Sequence, residues 1–391
     1  MEIIAFTIPF IVALVLLIFF HKRTAWWEYL LVIVPSILFV IVCEAIFRSD
    51  NSDDVEYLGT YITKIRHYDR WNEYIHRTCT REVPNGKDSE GHTKYRTETY
   101  DCSYVEDHPE RWAYFTNDGQ ENYFIGESEY DRVKEKFGTE PQFVDMNRDY
   151  YTIDGDAQDT YWNNSIQALQ DITISHKYNN PIKSSRSVFK FEDISDEEAD
   201  SLGLFRYPDI EEYEQDPVLG VNYSQYQKQF IKYLNAFYGR DKQFRMYLLF
   251  FKDKPEEIVE KQRSYWQGGN KNELVVCVGY HKSGKSIKVD WANAFSWEDK
   301  PILSVKARDW FLSNRTPDLS KFKAYIEPYI QSQWKRKQFK DFSYVTVEIS
   351  DTQYKWMLIF LIIYNIGIGL WVIFNEFTES KPSGETNKLN Y

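Results

Sequence analysis

IIAFTIPFIVALVLLIFF (residues 3–20) and WWEYLLVIVPSILFVIVCEAIF (residues 26–47) stand almost back to back, and WMLIFLIIYNIGIGLWVIF (residues 356–374) lies near the other end of the sequence. Each run is close to the roughly 20 residues that an α-helix needs to cross a hydrocarbon core of about 30 Å. Ionisable groups are almost missing inside them: Glu28 sits at an entrance and Glu44 near an exit. Everything between Arg48 and Lys355 is polar, charged and aromatic. The pattern predicts transmembrane helices over about 3–20, 26–47 and 355–375, with a soluble body between them and a polar tail over 376–391.

The short loops set the expected orientation. His21, Lys22 and Arg23 form the tight basic cluster between the first two spans, and short basic loops stay in the cytoplasm. The body and the N-terminus are then expected outside and the C-terminal tail inside, which makes this a multi-pass integral membrane protein with an extracytoplasmic domain. A cleavable signal peptide does not fit the first run, because a Met-Glu start replaces the basic n-region and no small-residue cleavage site follows.

Composition narrows the function classes. The 391 residues include 30 Tyr and 12 Trp, and the net charge is −12. Such aromatic content favours strands and amphipathic surfaces. A nucleic-acid partner is not expected, since phosphate binding needs a basic stripe. An anionic membrane surface is not expected as a ligand for the same reason.

Within the body, residues 48–200 read as β-rich. Short alternating runs (Tyr57–Ile65, Thr93–Tyr100, Trp112–Phe115, Tyr123–Ile125) are separated by turn clusters at 84–86 and 117–119. One helix interrupts over Glu127–Phe137, with Gly138 as its stop. Residues 201–222 read as a linker. From 223 to 350 helices alternate with nearly continuous apolar strands (Gln243–Phe251, Glu273–Tyr280), and a last strand is expected over Ser343–Ile349. That alternation argues for an α/β sandwich. The expected fold class is thus an α+β membrane protein, with a β-rich part and an α/β part in its soluble body.

Five clusters could carry chemistry. Gly279-Tyr-His-Lys-Ser-Gly-Lys-Ser286 matches the P-loop spelling after an apolar strand. A phosphate cradle needs a helix to begin at the Lys-Ser, yet Ile287–Trp291 alternates at period two, so a hairpin turn is expected. Cys79 and Cys102 lie on two arms of a hairpin. A turn at Glu90-Gly91 sets them opposite each other for a cross-strand disulfide in an oxidising compartment. His76, Cys79, Cys102 and His108 would alternatively offer zinc two sulfurs and two nitrogens, and unrelated free thiols are the third option. Asp154, Asp156 and Asp159 surround a glycine and offer three carboxylates to Ca²⁺, without EF-hand spacing; a solvated acidic turn is the plainer reading. Trp266, Gly268, Gly269, Asn270 and Asn272 join a helix to a buried strand, which suits either a helix stop or a small ligand loop at the strand edges. Asp290, near a strand end, is the remaining candidate metal ligand.

Two resemblances follow from quoted segments. Asp54–Lys64 (DVEYLGTYITK), His108–Thr116 (HPERWAYFT) and Trp266–Asn272 (WQGGNKN) together resemble uncharacterised membrane proteins of tailed bacteriophages and some bacteria, which carry a Cys/His-rich first loop. This chain has fewer cysteines in that loop. Residues 223–350 resemble, in the order of their elements, a TPM-type domain, an α/β fold on membrane-tethered proteins. That likeness implies a metal-dependent phosphohydrolase as the alternative function and transfers no catalytic position. The leading expectation is a non-enzymatic binding or assembly module of the envelope. Its partners would be the lipid bilayer and another membrane or envelope protein. Homo-oligomers are a further expectation, through spans carrying Gly367, Gly369 and Asn365.

Overall fold

A computed structural model describes residues 2–21, 24–124, 126–146, 154–182, 191–210, 216–284, 286–338, 342, 345 and 347–374. It divides into two units, one of residues 1–55, 177–191 and 338–391, the other of residues 56–176 and 192–337. The first unit begins with α1 (Glu2–Phe20) and α2 (Trp26–Ser52), formed by the two N-terminal apolar runs.

The second unit starts within β1 (Asp53–Tyr68), a 16-residue strand. There follow β2 (Trp71–Ile75), β3 (Thr78–Lys87), β4 (Thr93–Asp101), β5 (Tyr104–His108), β6 (Arg111–Thr116) and β7 (Glu121–Tyr123). Next come α3 (Glu127–Phe137), β8 (Gln142–Val144), β9 (Ala157–Tyr161) and β10 (Asp171–Asn179). Six of these strands make one sheet in the order β7-β6-β1-β9-β8, with β10 also paired to β1. A register shift between Ile62 and Lys64 reverses the alternation there. Ile62 and Ile65, an odd number of residues apart, therefore both reach the core beneath α3, against Tyr130, Val133 and Phe137. As expected, α3 stops at Gly138, whose φ of 60° is left-handed.

The chain then forms α4 (Asp196–Leu202), β11 (Val218–Leu219), α5 (Gln225–Gly239), β12 (Arg245–Lys252), α6 (Ile258–Tyr265), β13 (Glu273–Ser283), β14 (Ser286–Ser296), α7 (Ile302–Ser313) and α8 (Leu319–Gln333). The sheet order is β11-β12-β13-β14, parallel except for the last pair. Both faces of β12 and β13 are covered, which explains their unbroken apolar runs. Met246, Leu248, Phe250, Leu274 and Val276 pack under α5, α7 and α8. Tyr247, Leu249, Phe251, Val275 and Cys277 pack under α4 and α6.

The described part of 201–222 is built into this second layer. Leu204, Phe205 and Tyr207 join its core, the Phe205 backbone exchanges hydrogen bonds with the Gln262 amide at 2.8 and 3.0 Å, and β11 adds a strand. The β-rich and α/β parts are also fused. Asn272 Nδ2 donates to the Tyr57 carbonyl at 2.7 Å, and a Cβ on Gly59 would fall 2.1 Å from the Asn235 carbonyl oxygen in α5. Of the strand expected over 343–349, residues 343, 344 and 346 lie outside the described residues, and residues 345 and 347–349 are not strand.

The chain returns to the first unit with α9 (Asp351–Phe374). The helices α1, α2 and α9 share two small cores, around Ala5, Val40, Met357 and Leu361 and around Leu16, Val32 and Val372. Asn365 Nδ2 donates to Ser36 Oγ at 3.0 Å inside this bundle, while Phe19, Leu38, Ile363 and Phe374 face outward. Among the described residues, two helices, α2 and α9, are long and apolar enough to cross a membrane, where three spans were expected. The apolar part of α1, Ile4–Phe20, has only about 26 Å of helix at 1.5 Å per residue, short of a 30 Å core.

Candidate functional site

The most distinctive element outside the cores is an arm formed by β2, β3, β4 and β5. Its partners pair antiparallel as β2 with β5 and β3 with β4. The residue numbers of paired positions sum to 179 at Lys64–Phe115, Trp71–His108, Thr78–Asp101 and Pro84–Tyr95. A single ladder register therefore runs out of β1 and β6 and along the arm. It shifts once, between Pro84 and Lys87, where Gly86 takes a φ of 83°. The reversal lies at 88–92, with Asp88 N–H donating to the His92 carbonyl at 2.8 Å and Asp88 Oδ1 accepting from Glu90 and His92 N–H. From Trp71 to Lys87 the contour is on the order of 55 Å at about 3.3 Å per residue. Every residue of β3 and β4 is exposed except the half-buried Cys79, Val83 and Glu98.

Cys79 and Cys102 are joined as a disulfide with Cα atoms 5.8 Å apart. They are not opposite each other: Cys79 pairs with Tyr100, and Cys102 N–H donates to the Arg77 carbonyl at 2.9 Å. The bond is a diagonal staple at the break between the two ribbons, because the reversal is centred one residue earlier than a turn at Glu90-Gly91 requires. A disulfide offers no thiolate, so the zinc set His76, Cys79, Cys102 and His108 is not assembled. His76 is exposed against the Tyr74 ring at 4.6 Å, while His108 lies under Trp71 with ring centroids 4.8 Å apart.

The acidic turn likewise does not converge. Asp159 belongs to β9, where Lys64 Nζ donates to it at 2.9 Å and Arg66 at 2.6 and 2.8 Å. Burial alone would raise its carboxyl, but the hydrogen bonds from Arg66 and Lys64 outweigh that and hold it below the usual carboxylate range. Asp154 pairs with Arg111, and Asp156 accepts from the Met146 N–H at 3.4 Å. Two of these carboxylates are held by separate cations and the third by a backbone N–H, so they do not assemble a shared oxygen cage for Ca²⁺.

The loop after α6 is occupied by its own chain. Gln267, Gly268 and Gly269 take φ values of 50°, 85° and 75°, so the helix stop is a run of three left-handed residues. Trp266 Nε1 donates to the Phe205 carbonyl at 2.7 Å, and the Gly269 carbonyl accepts from Trp297 Nε1 at 3.1 Å. Asn270 donates to Glu273 through its backbone at 2.8 Å and through its side chain at 3.1 Å. Beneath the loop, Arg245 donates to Tyr247 at 2.8 Å and Tyr207 donates to Glu273. Glu273 is buried, which raises its carboxyl, and the bonds from Tyr207 and Asn270 only partly offset this. The group acts as a buried polar brace between β12, β13 and residue 207.

The P-loop spelling folds as expected into a hairpin, with Ser283 paired to Ser286 and Gly284 at a φ of 64°. Asp290 is exposed and paired with His281 Nδ1 at 2.7 Å. It lies beside the Gly279–Trp291 pair, roughly 23 Å along the sheet from Asn272 at about 3.3 Å per residue. Asp290, Asn270 and Asn272 therefore do not share a cleft.

Sequence reading missed the exposed aromatic side chains of the arm. Tyr74, Tyr95, Tyr100, Tyr104 and Val105 are exposed there, and the register divides them between the two faces: Tyr74 and Val105 are paired on one and Tyr104 lies on the other, while Tyr95 and Tyr100 are likewise on opposite faces. The signal available was the density of tyrosines between two cysteines; without the register their faces could not be assigned. Comparisons with protein-family models, with curated proteins and with solved structures found no match.

Proposed function

We propose that this chain is a membrane-anchored binding or assembly module of a bacterial or phage envelope, which engages another envelope protein through its stapled β-arm. The arm carries this reading: it contributes no residue to the apolar cores of its unit, yet it is held in one register and cross-linked. Tyrosines exposed on a preordered ribbon give contact area at low conformational cost, as at protein interfaces generally. The helices α2 and α9 supply the anchor. Packing of α1 along them supports a third, tilt-free crossing in a locally thinned bilayer. The disulfide supports an oxidising, extracytoplasmic side for the body, in agreement with the basic loop at residues 21–23. The likeness of 54–64, 108–116 and 266–272 to phage and bacterial membrane proteins points to the same setting.

A photo-crosslinking amino acid at Tyr95 or Tyr100, in cells that make the protein naturally, tests this. The expected result is a discrete adduct, heteromeric or between copies of the chain, that is lost when Cys79→Ser loosens the arm. Equal labelling from Lys321 on α8, or no adduct from either arm position, would overturn the role assigned to the arm.

A further inference from the structure

We infer that the base of the arm holds a divalent transition-metal ion between Glu73, Glu106 and His108. The register creates this juxtaposition. Glu73 pairs directly with Glu106, and Trp71 with His108, so all four side chains stand on one face of the ribbon. One ligand atom from each of Glu73, Glu106 and His108 lies within 4.8 Å of the others, and His108 Nε2 is 2.9 Å from Glu73 Oε2.

Three features make this a metal-ligand set. Two carboxylates directly opposite on a ladder repel each other, and a single imidazole cannot answer both charges, whereas a divalent cation can. The imidazole is fixed in place: His108 is 9% exposed and stacks on Trp71 with the rings 20° from parallel. Finally, Glu106 is exposed, which leaves solvent a route to the remaining coordination positions. One nitrogen and two carboxylate oxygens suit Zn²⁺ and its first-row neighbours; Ca²⁺ and Mg²⁺ prefer all-oxygen shells. The other arm carboxylate in this stretch, Asp107, points to the opposite face and is paired with Arg70 at 2.6 Å. The inference does not depend on what the arm binds or on which side of a membrane it stands.

The test uses the purified full chain in detergent, stripped of metal and titrated with ZnCl₂ by calorimetry, with Co²⁺ absorption as a second readout. One Zn²⁺ per chain is expected, with visible Co²⁺ bands that Zn²⁺ displaces and Ca²⁺ does not. Glu106→Gln, an exposed substitution, is expected to weaken Zn²⁺ at least tenfold, and Glu73→Gln to do the same. His92→Asn, at the tip beside Asp88 and Glu90, is expected to bind like the parent. Absence of binding up to about 1 mM, equal affinity in parent and Glu106→Gln, or a loss confined to His92→Asn would each overturn the site.

Discussion

Gly59 and Gly239 show how little room separates the β-rich and α/β parts: a Cβ on Gly239 would lie 2.5 Å from the Gly59 nitrogen. Gly59→Ala must push β1 from α5, and we expect it to cost about 1–3 kcal/mol or more, read as a lowered denaturation midpoint. Glu273→Ala removes the acceptor that Tyr207 and Asn270 share while Arg245 stays buried. A loss of about 3–5 kcal/mol is expected, and an unchanged midpoint would remove the bracing role. Asp159 sets a pH dependence. Its folded pKa lies below the unfolded value of about 3.9, so its stabilising contribution is complete above that pH and is lost as pH falls through the folded value. In Asp159→Asn the melting temperature should be lower at neutral pH and should fall less below about pH 4; parallel curves for the two proteins would contradict this.

Among the elements, those with one strong local signal were legible in the sequence. The helix Glu127–Phe137 carries its stop in Gly138, and the false P-loop declares itself a hairpin through the alternation of Ile287–Trp291. The helix α6 begins only at Ile258, because Pro255 and the two glutamates after it form a turn that leads into the helix. The arm was harder. Asn85-Gly86 reads as a hairpin turn but serves as a bulge, so the partners of Cys79 depended on a reversal that local turn residues do not specify. Glu73, Glu106 and His108 were invisible for the same reason: 33 positions separate the first two, and only the register brings them together. The staple also predicts local behaviour. Cys79→Ser should destabilise the arm by about 2–4 kcal/mol, seen as faster tryptic cleavage at Arg77, Arg81 or Lys94. The core strands β12 and β13 should keep their hydrogen-exchange protection, since the arm opens as a separate unit.

For the whole molecule, the sorting of the chain into apolar helices and a polar body was the most legible feature, because hydropathy over some 20 residues overrides local detail. The number of crossings was less so, since α1 sits at the edge of the length criterion. Topology is tested by Lys321→Cys and Ser383→Cys with a membrane-impermeant thiol reagent in intact cells. Labelling at 321 alone is expected, and labelling at 383 alone would place the body inside. The ladder shared by β1, β6 and the arm also constrains how this protein can change over generations. One residue gained or lost on a single limb turns every side chain beyond it to the other face, scattering the Glu73–Glu106–His108 group and carrying the cysteines out of reach. The arm can lengthen or shorten only by compensated steps on both limbs, or by changes at its tip, where five residues close the ladder and nothing lies beyond.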